Sequence, residues 1–124
     1  DYTERHYGLG DKAGPLDRTG RRFAIDAVDP CGFDAELSDP LYKMLPFFIV
    51  DGPVGAHGVF YDNLSTGSVD FGCTLDNYHG LFRSWKGDDG DLDYYVMAGP
   101  MVPDVVKRFS WLTGGQAFAP LWSY

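Results

Sequence analysis

Acidic side chains are the groups in this sequence with the greatest capacity for chemistry, because carboxylates can bind calcium or act as acid and base in bond cleavage. Four of them cluster near the C-terminal end of the sequence, at Asp88, Asp89, Asp91 and Asp93. The cluster lies in a glycine-rich turn and lacks the Asp-x-Asp-x-Asp-Gly order and the closing Glu of a calcium loop. We therefore expect a hydrated turn at this place rather than a calcium site.

Other signatures of catalysis or metal binding are missing from the sequence. It contains no P-loop, no dinucleotide-binding fingerprint, no His-Glu-x-x-His and no Gly-x-Ser-x-Gly. His6, His57 and His79 are scattered, and we expect each to be exposed or hydrogen-bonded rather than a ligand. Cys31 and Cys73 lack metal-ligand spacing and are interpreted as free thiols of a reducing, cytoplasmic compartment, with a single disulfide as the alternative. No metal or cofactor is predicted.

Composition limits the class of binding partner. The chain has 124 residues, enough for one domain with a modest core. Its net charge is −8, which argues against binding to nucleic acid or to an anionic membrane. Aromatic residues make up 16%, and with the carboxylates they suit neutral polyhydroxylated ligands; packing in a β-rich core is the alternative. No apolar run approaches the ~20 residues that span a bilayer, and no secretory signal is visible.

Glycine and proline divide the chain into short apolar and aromatic segments, a pattern typical of many strands joined by turns. Strands are predicted at residues 5–9, 22–26, 45–50, 58–61, 68–71, 80–83 and 92–98. The continuous apolar run at 47–50 predicts a strand that is covered on both faces. Residues 91–97 predict a strand that runs from a sheet edge into the core. Turn-forming residues at 51–53 and 87–90 predict two β-hairpins.

One amphipathic helix is predicted near the end of the sequence. Pro103 suits its first turn, and Gly114 suits its termination. The apolar face that we expect to dock consists of Val105, Val106, Phe109 and Leu112. Residues 115–124 are predicted to form an extended tail, whose apolar end indicates that a buried element continues from it.

Four segments carry motifs in a distinctive order. Residues 7–12 read Tyr-Gly-Leu-Gly-Asp-Lys, and Gly-Pro-Leu follows at 14–16. Residues 38–43 read Ser-Asp-Pro-Leu-Tyr-Lys and continue to Pro-Phe-Phe; residues 58–63 read Gly-Val-Phe-Tyr-Asp-Asn; and residues 92–100 contain Leu-Asp-Tyr-Tyr-Val and Ala-Gly-Pro. Together these segments resemble the non-catalytic N-terminal region of glycoside hydrolase family 31 α-glucosidases, with its motifs Tyr-Gly-Leu-Gly-Glu-Arg and Asp-Pro-Leu-Tyr-Lys-x-x-Pro-Phe.

The resemblance implies a mainly β fold, namely an antiparallel β-sandwich of the galactose-mutarotase-like type with one short C-terminal helix. It assigns residues 1–100 to part of an N-terminal β-sandwich. Residues 101–124 become a helix and linker that lead to an absent (β/α)8 barrel, since Leu-Thr-Gly at 112–114 and Pro-Leu-Trp at 120–122 match the segments before that barrel. Both catalytic aspartates of the family stand on the barrel. No catalytic residue is therefore expected in this chain, which should be inactive by itself.

The same resemblance implies a loop that reaches the substrate site of a retaining α-glucosidase. It places the substrate-binding aspartate at Asp29, with Asp26 as the rival position and a simple Asp-Pro turn without a ligand role as the alternative. An ionised aspartate on a loop can accept hydrogen bonds from two hydroxyl groups, and Pro30 favours an extended backbone at Asp29. Tyr42 is expected to be structural, and Asn63 is expected to cap a turn.

Two functional hypotheses follow. In the first, the chain is the accessory region of an enzyme that hydrolyses terminal α-linked glucose, and its partners are an α-glucoside or oligosaccharide substrate and the catalytic barrel of the same chain. In the second, it is a free-standing β-sandwich that binds carbohydrate without cleaving it.

Overall fold

Two antiparallel β-sheets and one α-helix make up the computed structural model, which describes residues 3–115 and 117–123. The strands are β1 (Arg5–Gly10), β2 (Arg22–Ile25), β3 (Met44–Gly52), β4 (Gly55–Tyr61), β5 (Gly67–Asp76), β6 (Gly80–Gly87) and β7 (Tyr94–Gly99). The helix α1 spans Val102–Thr113. One sheet has the order β1-β3-β4-β7 and the other has the order β2-β5-β6. This architecture confirms the predicted mainly β sandwich with one C-terminal helix.

Strand β3 lies between two hydrophobic cores. The core between the sheets consists of Leu9, Phe23, Ile25, Phe48, Val50, Val69 and Phe71. Phe48 and Val50 face this core, whereas Phe47 and Ile49 face the opposite side and pack with Val105 of α1. Successive side chains of a strand alternate between faces, so an unbroken apolar run needs cover on both sides. The prediction for residues 47–50 is confirmed.

The docked face of α1 is narrower than predicted. Val105 is fully buried, and the ring of Phe109 stacks on Phe47 with the ring centroids 4.0 Å apart. Val106 and Leu112, which were predicted on the docked face, are 45% and 37% exposed, so that part of the prediction is wrong. For Val106 the reason is geometric, because it lies about 100° around the helix axis from Val105. Leu112 lies on the same side of the helix as Val105, but in its last turn.

The first predicted hairpin is confirmed and the second is wrong. Residues 51–53 lie where β3 turns into β4, with Gly52 opposite Gly55. Residues 87–90, however, carry the chain from β6 to β7, which belong to different sheets. A turn sequence reverses the local backbone, but long-range pairing decides which sheet the next strand joins. The Nδ2 of Asn63 donates hydrogen bonds to the carbonyl oxygens of Asp89 and Asp91, so Asn63 caps this crossover as predicted.

Several strand boundaries differ from the prediction. The hairpin of β5 and β6 is longer, and β5 reaches Asp76 while β6 reaches Gly87. Strand β7 begins at Tyr94 and lies at a sheet edge, with Met97 as its buried residue, so the predicted run from the edge into the core is wrong. Tyr94, Tyr95 and Val96 are exposed, although the ring of Tyr95 stacks on that of Phe60 with the centroids 6.1 Å apart.

The C-terminal segment is partly helical rather than fully extended. Residues 117–120 have no regular structure, and Leu121–Ser123 forms one turn of 3-10 helix, in which the amide of Ser123 donates to the carbonyl oxygen of Pro120 at 2.9 Å. The predicted tail also includes Gln116 and Tyr124, which lie outside the described residues. In the part of the chain that the structure describes, no helix is both long and apolar enough to cross a bilayer.

Strand β1 ends in a bulge that redirects the chain. Its pairing with β3 shifts between Gly8 and Gly10, and the intervening Leu9 is fully buried with a φ of 71°. This left-handed backbone is uncommon for a side chain other than glycine. Beyond the bulge the chain leaves the sheet and turns inward, so that Lys12 is buried.

Candidate functional site

The predicted aspartates lie on one loop, which we call the acidic loop and define as residues 26–43 between β2 and β3. Asp29 is exposed on this loop, and Asp26 is half-buried directly after β2. Asp26 Oδ1 accepts a hydrogen bond from the neighbouring amide of Ala27 at 2.8 Å, which is a local turn contact. Asp29 is therefore the more accessible of the two carboxylates.

Asp29 is held by one side chain from the far end of the acidic loop. The hydroxyl of Tyr42 donates a hydrogen bond to Asp29 Oδ1 at 2.8 Å. Within residues 3–115 and 117–123, the other oxygen, Oδ2, accepts no hydrogen bond. A carboxylate with one fixed and one free oxygen can accept a further hydrogen bond without first losing one. The role of Tyr42 beside Asp29 was missed in the sequence, where Tyr42 was expected to be structural.

The contact between Tyr42 and Asp29 changes the pKa of the tyrosine. The hydrogen bond to Asp29 raises the pKa of Tyr42 above its ordinary value of 10.0, because the phenol must stay protonated to donate. A pKa raised in this way reports whether the pair is formed in solution.

We expect Asp29→Asn to bring the pKa of Tyr42 back towards its ordinary value of 10.0, since the charged acceptor is replaced by a neutral amide. The measurement is an NMR titration of the tyrosine ring signals, with Tyr42 assigned from the Tyr42→Phe variant. Asp26→Asn removes the same charge from the same loop and should leave that pKa unchanged. A pKa of Tyr42 that is equal in all three proteins would contradict the contact.

The base of the acidic loop contains a buried ion pair that sequence reasoning did not find. Lys12 Nζ donates to Asp39 Oδ1 at 2.7 Å and to the carbonyl oxygen of Ala24 at 2.6 Å, and the side chain of Lys12 is fully buried. The second oxygen of Asp39, Oδ2, accepts from the amide of Ala24 at 2.6 Å. Higher in the loop, the amide of Val28 donates to the carbonyl oxygen of Leu41 at 3.0 Å. The two ends of the loop are therefore tied together.

A separate cleft of about 400 Å³ lies between β1 and the hairpin of β5 and β6, and its lining includes Glu4, His6, Thr19, Phe71, His79 and Arg83. His6 is buried there, with Nδ1 2.9 Å from Thr19 Oγ1 and Nε2 3.0 Å from an Arg83 guanidinium nitrogen. Because a guanidinium can only donate, Nε2 is the acceptor and Nδ1 carries the proton. Burial, and then the charge of Arg83, lower the pKa of His6 to about 4. His6 is thus a neutral, hydrogen-bonded residue, as expected.

The remaining candidates behave as structural or hydrated groups. His79 lies 3.2 Å from Asp76 Oδ1 on the surface. Asp88 pairs with Lys86 at 2.9 Å in an exposed turn, and the described residues contain no group of three metal-ligating side chains. Both cysteines are exposed and free, so the alternative of a disulfide between them is wrong.

Comparison with known proteins gives consistent matches. Residues 1–70 match the family model described as the glycosyl hydrolase 31 N-terminal galactose mutarotase-like domain. The chain is similar to alpha-glucosidase 2 of Bacillus thermoamyloliquefaciens, at 33% identity over 123 residues that cover 99% of this chain and 15% of the relative. It is similar to an alpha-xylosidase of Emericella nidulans at 32% identity, covering 98% of this chain and 14% of the relative.

A solved structure of the same family is also similar to this chain. The Flavobacterium johnsoniae GH31 dextranase complexed with glucose is similar with a TM-score of 0.79 and 29% identity, over 97% of this chain and 14% of that one. The chain therefore spans about 15% of the length of the first relative and similar shares of the others.

Proposed function

Because this chain belongs to the glycosyl hydrolase 31 N-terminal galactose mutarotase-like domains, we propose that it is the accessory N-terminal region of a retaining α-glucosidase that removes terminal α-linked glucose. In this proposal residues 1–100 form part of the sandwich, and residues 101–124 lead to a (β/α)8 barrel that carries both catalytic aspartates. The sandwich supports the barrel, and the acidic loop contributes Asp29 to substrate binding. The proposed compartment is the cytoplasm, where the exposed thiols of Cys31 and Cys73 would stay reduced.

The observation that supports this proposal most directly is the environment of the Asp29 carboxylate. The carboxylate is exposed, one of its oxygens accepts a hydrogen bond from Tyr42, and the ion pair of Lys12 with Asp39 stabilises the base of the loop. Such a group can accept a hydrogen bond from a sugar hydroxyl, and a fixed geometry helps to orient the ring for attack by a nucleophile elsewhere in the enzyme. The neutral substrate also agrees with the net charge of −8, which would repel phosphorylated or otherwise anionic ligands.

Exposed apolar side chains on the C-terminal part of the chain support the proposed contact with the barrel. Large apolar residues on α1 and the segment after it lie open to solvent, including Trp111, Phe118, Leu121 and Trp122, the last of which is 85% exposed. Large apolar side chains exposed close together in the sequence are typical of a surface that packs against another protein surface. In this proposal, the partner that covers these side chains is the barrel of the same chain.

The test is the activity of Asp29→Asn in the full-length enzyme on a chromogenic α-glucoside. We expect kcat/KM to fall about 10- to 100-fold, because a hydrogen bond to a charged group contributes about 1.5–3 kcal/mol. Asp26→Asn is the matched control and should change kcat/KM by less than about twofold.

Other outcomes point elsewhere. A loss that is confined to Asp26→Asn would move the substrate contact to the rival position, and full activity of both variants would remove the loop from the substrate site. Calorimetric binding of maltose by the isolated chain, abolished by Asp29→Asn, would favour a carbohydrate-binding module without hydrolytic activity.

A further inference from the structure

A buried lysine connects the end of β2, where the acidic loop begins, with Asp39 near the other end of the loop. Strand β2 is an edge strand of its sheet, so one side of its backbone pairs with no other strand of the described residues. At Ala24 this open side is occupied by side chains instead: Lys12 Nζ donates to the carbonyl oxygen at 2.6 Å, and Asp39 Oδ2 accepts from the amide at 2.6 Å. The contact of Lys12 Nζ with Asp39 Oδ1 at 2.7 Å closes the group. We call Lys12 and Asp39 the loop clamp.

The loop clamp is the lowest of three contacts that connect the same two segments. Above it, the amide of Val28 donates to the carbonyl oxygen of Leu41 at 3.0 Å, and the hydroxyl of Tyr42 donates to Asp29 at 2.8 Å. The linked positions are 24 with 39, 28 with 41 and 29 with 42, so the two segments run side by side in the same direction. We therefore expect a displacement at the base to be transmitted along both segments to Asp29.

The charged groups of the loop clamp also indicate that it fixes the relative orientation of the groups it connects. Removing an ammonium group from water is costly unless the charge is paired and hydrogen-bonded, and apolar side chains of similar volume can often replace a buried ion pair without loss of stability. Charged groups differ from such apolar side chains because their hydrogen bonds have preferred distances and angles. The loop clamp fixes the backbone at Ala24 and the side chain of Asp39 in one relative position.

We infer that Lys12 and Asp39 are positioning residues for the substrate contact of Asp29. The inference rests on the function proposed above for Asp29 and deepens it. Neither residue touches the substrate, and both act by fixing the orientation of the acidic loop over the substrate site.

The test is a double-mutant cycle in the full-length enzyme, with kcat and KM measured on an α-glucoside for Lys12→Met, for Asp29→Asn and for the two combined. We expect Lys12→Met to lower kcat/KM by about 10-fold or more, since small displacements of a bound substrate cost up to about 100-fold. In the Asp29→Asn background the same change should have less than about a twofold effect, because the contact that it orients is gone. Lys12→Arg, which keeps the charge and the donors, should retain more activity than Lys12→Met.

Lys43→Met is the matched control for charge and size. Lys43 is an exposed lysine of the acidic loop, and its replacement should change kcat/KM by less than about twofold. Thermal unfolding of each variant identifies loss of activity that results from loss of folded protein.

The outcomes separate this inference from the function on which it rests. If Asp29→Asn lowers kcat/KM while folded Lys12→Met does not, the positioning role is overturned and the function of Asp29 stands. If the effects of Lys12→Met and Asp29→Asn multiply independently, Lys12 acts on general stability and the inference is again overturned. Full activity of Asp29→Asn overturns both proposals.

A second variant covers the case in which Lys12→Met does not fold. Asp39→Asn keeps the shape of the side chain, and the same cycle with Asp29→Asn is expected to show the same loss of independence. Hydrogen exchange at the amide of Val28 should become about 10-fold faster in Asp39→Asn, because the contact above the loop clamp opens more often. Unchanged exchange together with full activity of Asp39→Asn would overturn the inference.

Discussion

Replacing Phe48 with alanine is expected to lower the free energy of unfolding by about 3–5 kcal/mol, the range found for large-to-small changes of buried aromatic residues. Phe48 is 4% exposed and lies between the two sheets. Its ring meets the ring of Phe71 edge to face, with the centroids 5.1 Å apart, and lies 6.4 Å from the ring of Tyr61. Alanine would lose these contacts and leave a cavity that rigid strands on both sides cannot close.

Chemical denaturation of the protein that contains this chain measures the effect. The matched control is Phe33→Ala, because Phe33 is 69% exposed on the acidic loop. The same atoms are removed there without a cavity, and the free energy of unfolding should change by less than about 0.5 kcal/mol. A loss of less than about 1 kcal/mol in Phe48→Ala would contradict the position of the core between the sheets.

Replacing Asp70 with alanine should lower the free energy of unfolding by about 3 kcal/mol, because a buried carboxylate with several donors is removed. Asp70 is 2% exposed. Its Oδ2 accepts from Arg22 at 2.8 Å and from Thr74 Oγ1 at 2.5 Å, while Oδ1 accepts from the amides of Gly72 at 2.9 Å and Cys73 at 2.7 Å. These contacts fix the irregular part of β5, where the pairing with β6 shifts between Phe71 and Leu75. The donors that alanine leaves behind are partly accessible to water, which limits the loss.

The contribution of Asp70 should also depend on pH in a defined direction. Burial by itself raises the pKa of this carboxyl, but hydrogen bonds from Thr74, Arg22 and backbone amides outweigh burial and hold the pKa below its ordinary value of 3.8. A lowered pKa in the folded state stabilises the fold at pH values above 3.8, and this stabilisation is lost as the pH falls through the lowered value. The difference in stability between the natural protein and Asp70→Asn should therefore be largest near neutral pH and shrink in acid.

Denaturation curves measured between neutral and acidic pH test this direction. Asp11→Asn is a suitable control, since Asp11 is exposed and, within the described ranges, its carboxylate accepts no hydrogen bond. A stability difference for Asp70→Asn that grows as the pH falls would contradict the network of donors around Asp70.

Local sequence patterns were sufficient to predict most of the elements but not their assembly. The apolar run at 47–50 predicted β3 because only cover on both faces can bury every side chain of a strand. Pro103 and Gly114 predicted both ends of α1 because each suits a particular place at a helix terminus. The sheet that β7 joins could not be predicted, since turn residues at 87–90 set a change of direction and contain no information about the partner strand.

The candidate site divides in the same way. The resemblance to a known family supplied Asp29, but its partner Tyr42 is 13 residues away and Lys12 is 27 residues from Asp39. Neither separation corresponds to a helical or strand period, and lysine is rarely buried unless it is paired. The available signal was that Lys12, Asp39 and Tyr42 all fall within the motif segments at 7–12 and 38–43, where they were not recognised as one group.

The apolar character of both faces of β3 raises the question of how its alignment with neighbouring strands is determined. A slip by one residue in one direction would put residues 46–49 into the places of residues 47–50, and each of these places would still hold an apolar side chain. The opposite slip would bring Asp51 into the buried place of Val50. In most strands such a slip exposes the apolar set to water, and that penalty selects a single register. For the first of these slips the penalty is small, so hydrophobicity alone does not exclude that alignment.

Two glycines on the strands beside β3 restrict how it can pack. At Gly8, where φ is 121°, an added Cβ would lie 2.5 Å from the carbonyl oxygen of Phe47. At Gly58, it would lie 2.6 Å from Val105 and 2.8 Å from the ring of Phe47. After a slip, the ring of Phe47 would leave its place against Gly58, whereas the contact at Gly8 involves a backbone oxygen that any residue of β3 would supply. Gly58 therefore helps to specify the register of the central strand, which should tolerate exchange among large apolar residues far better than the gain of a methyl group at either glycine.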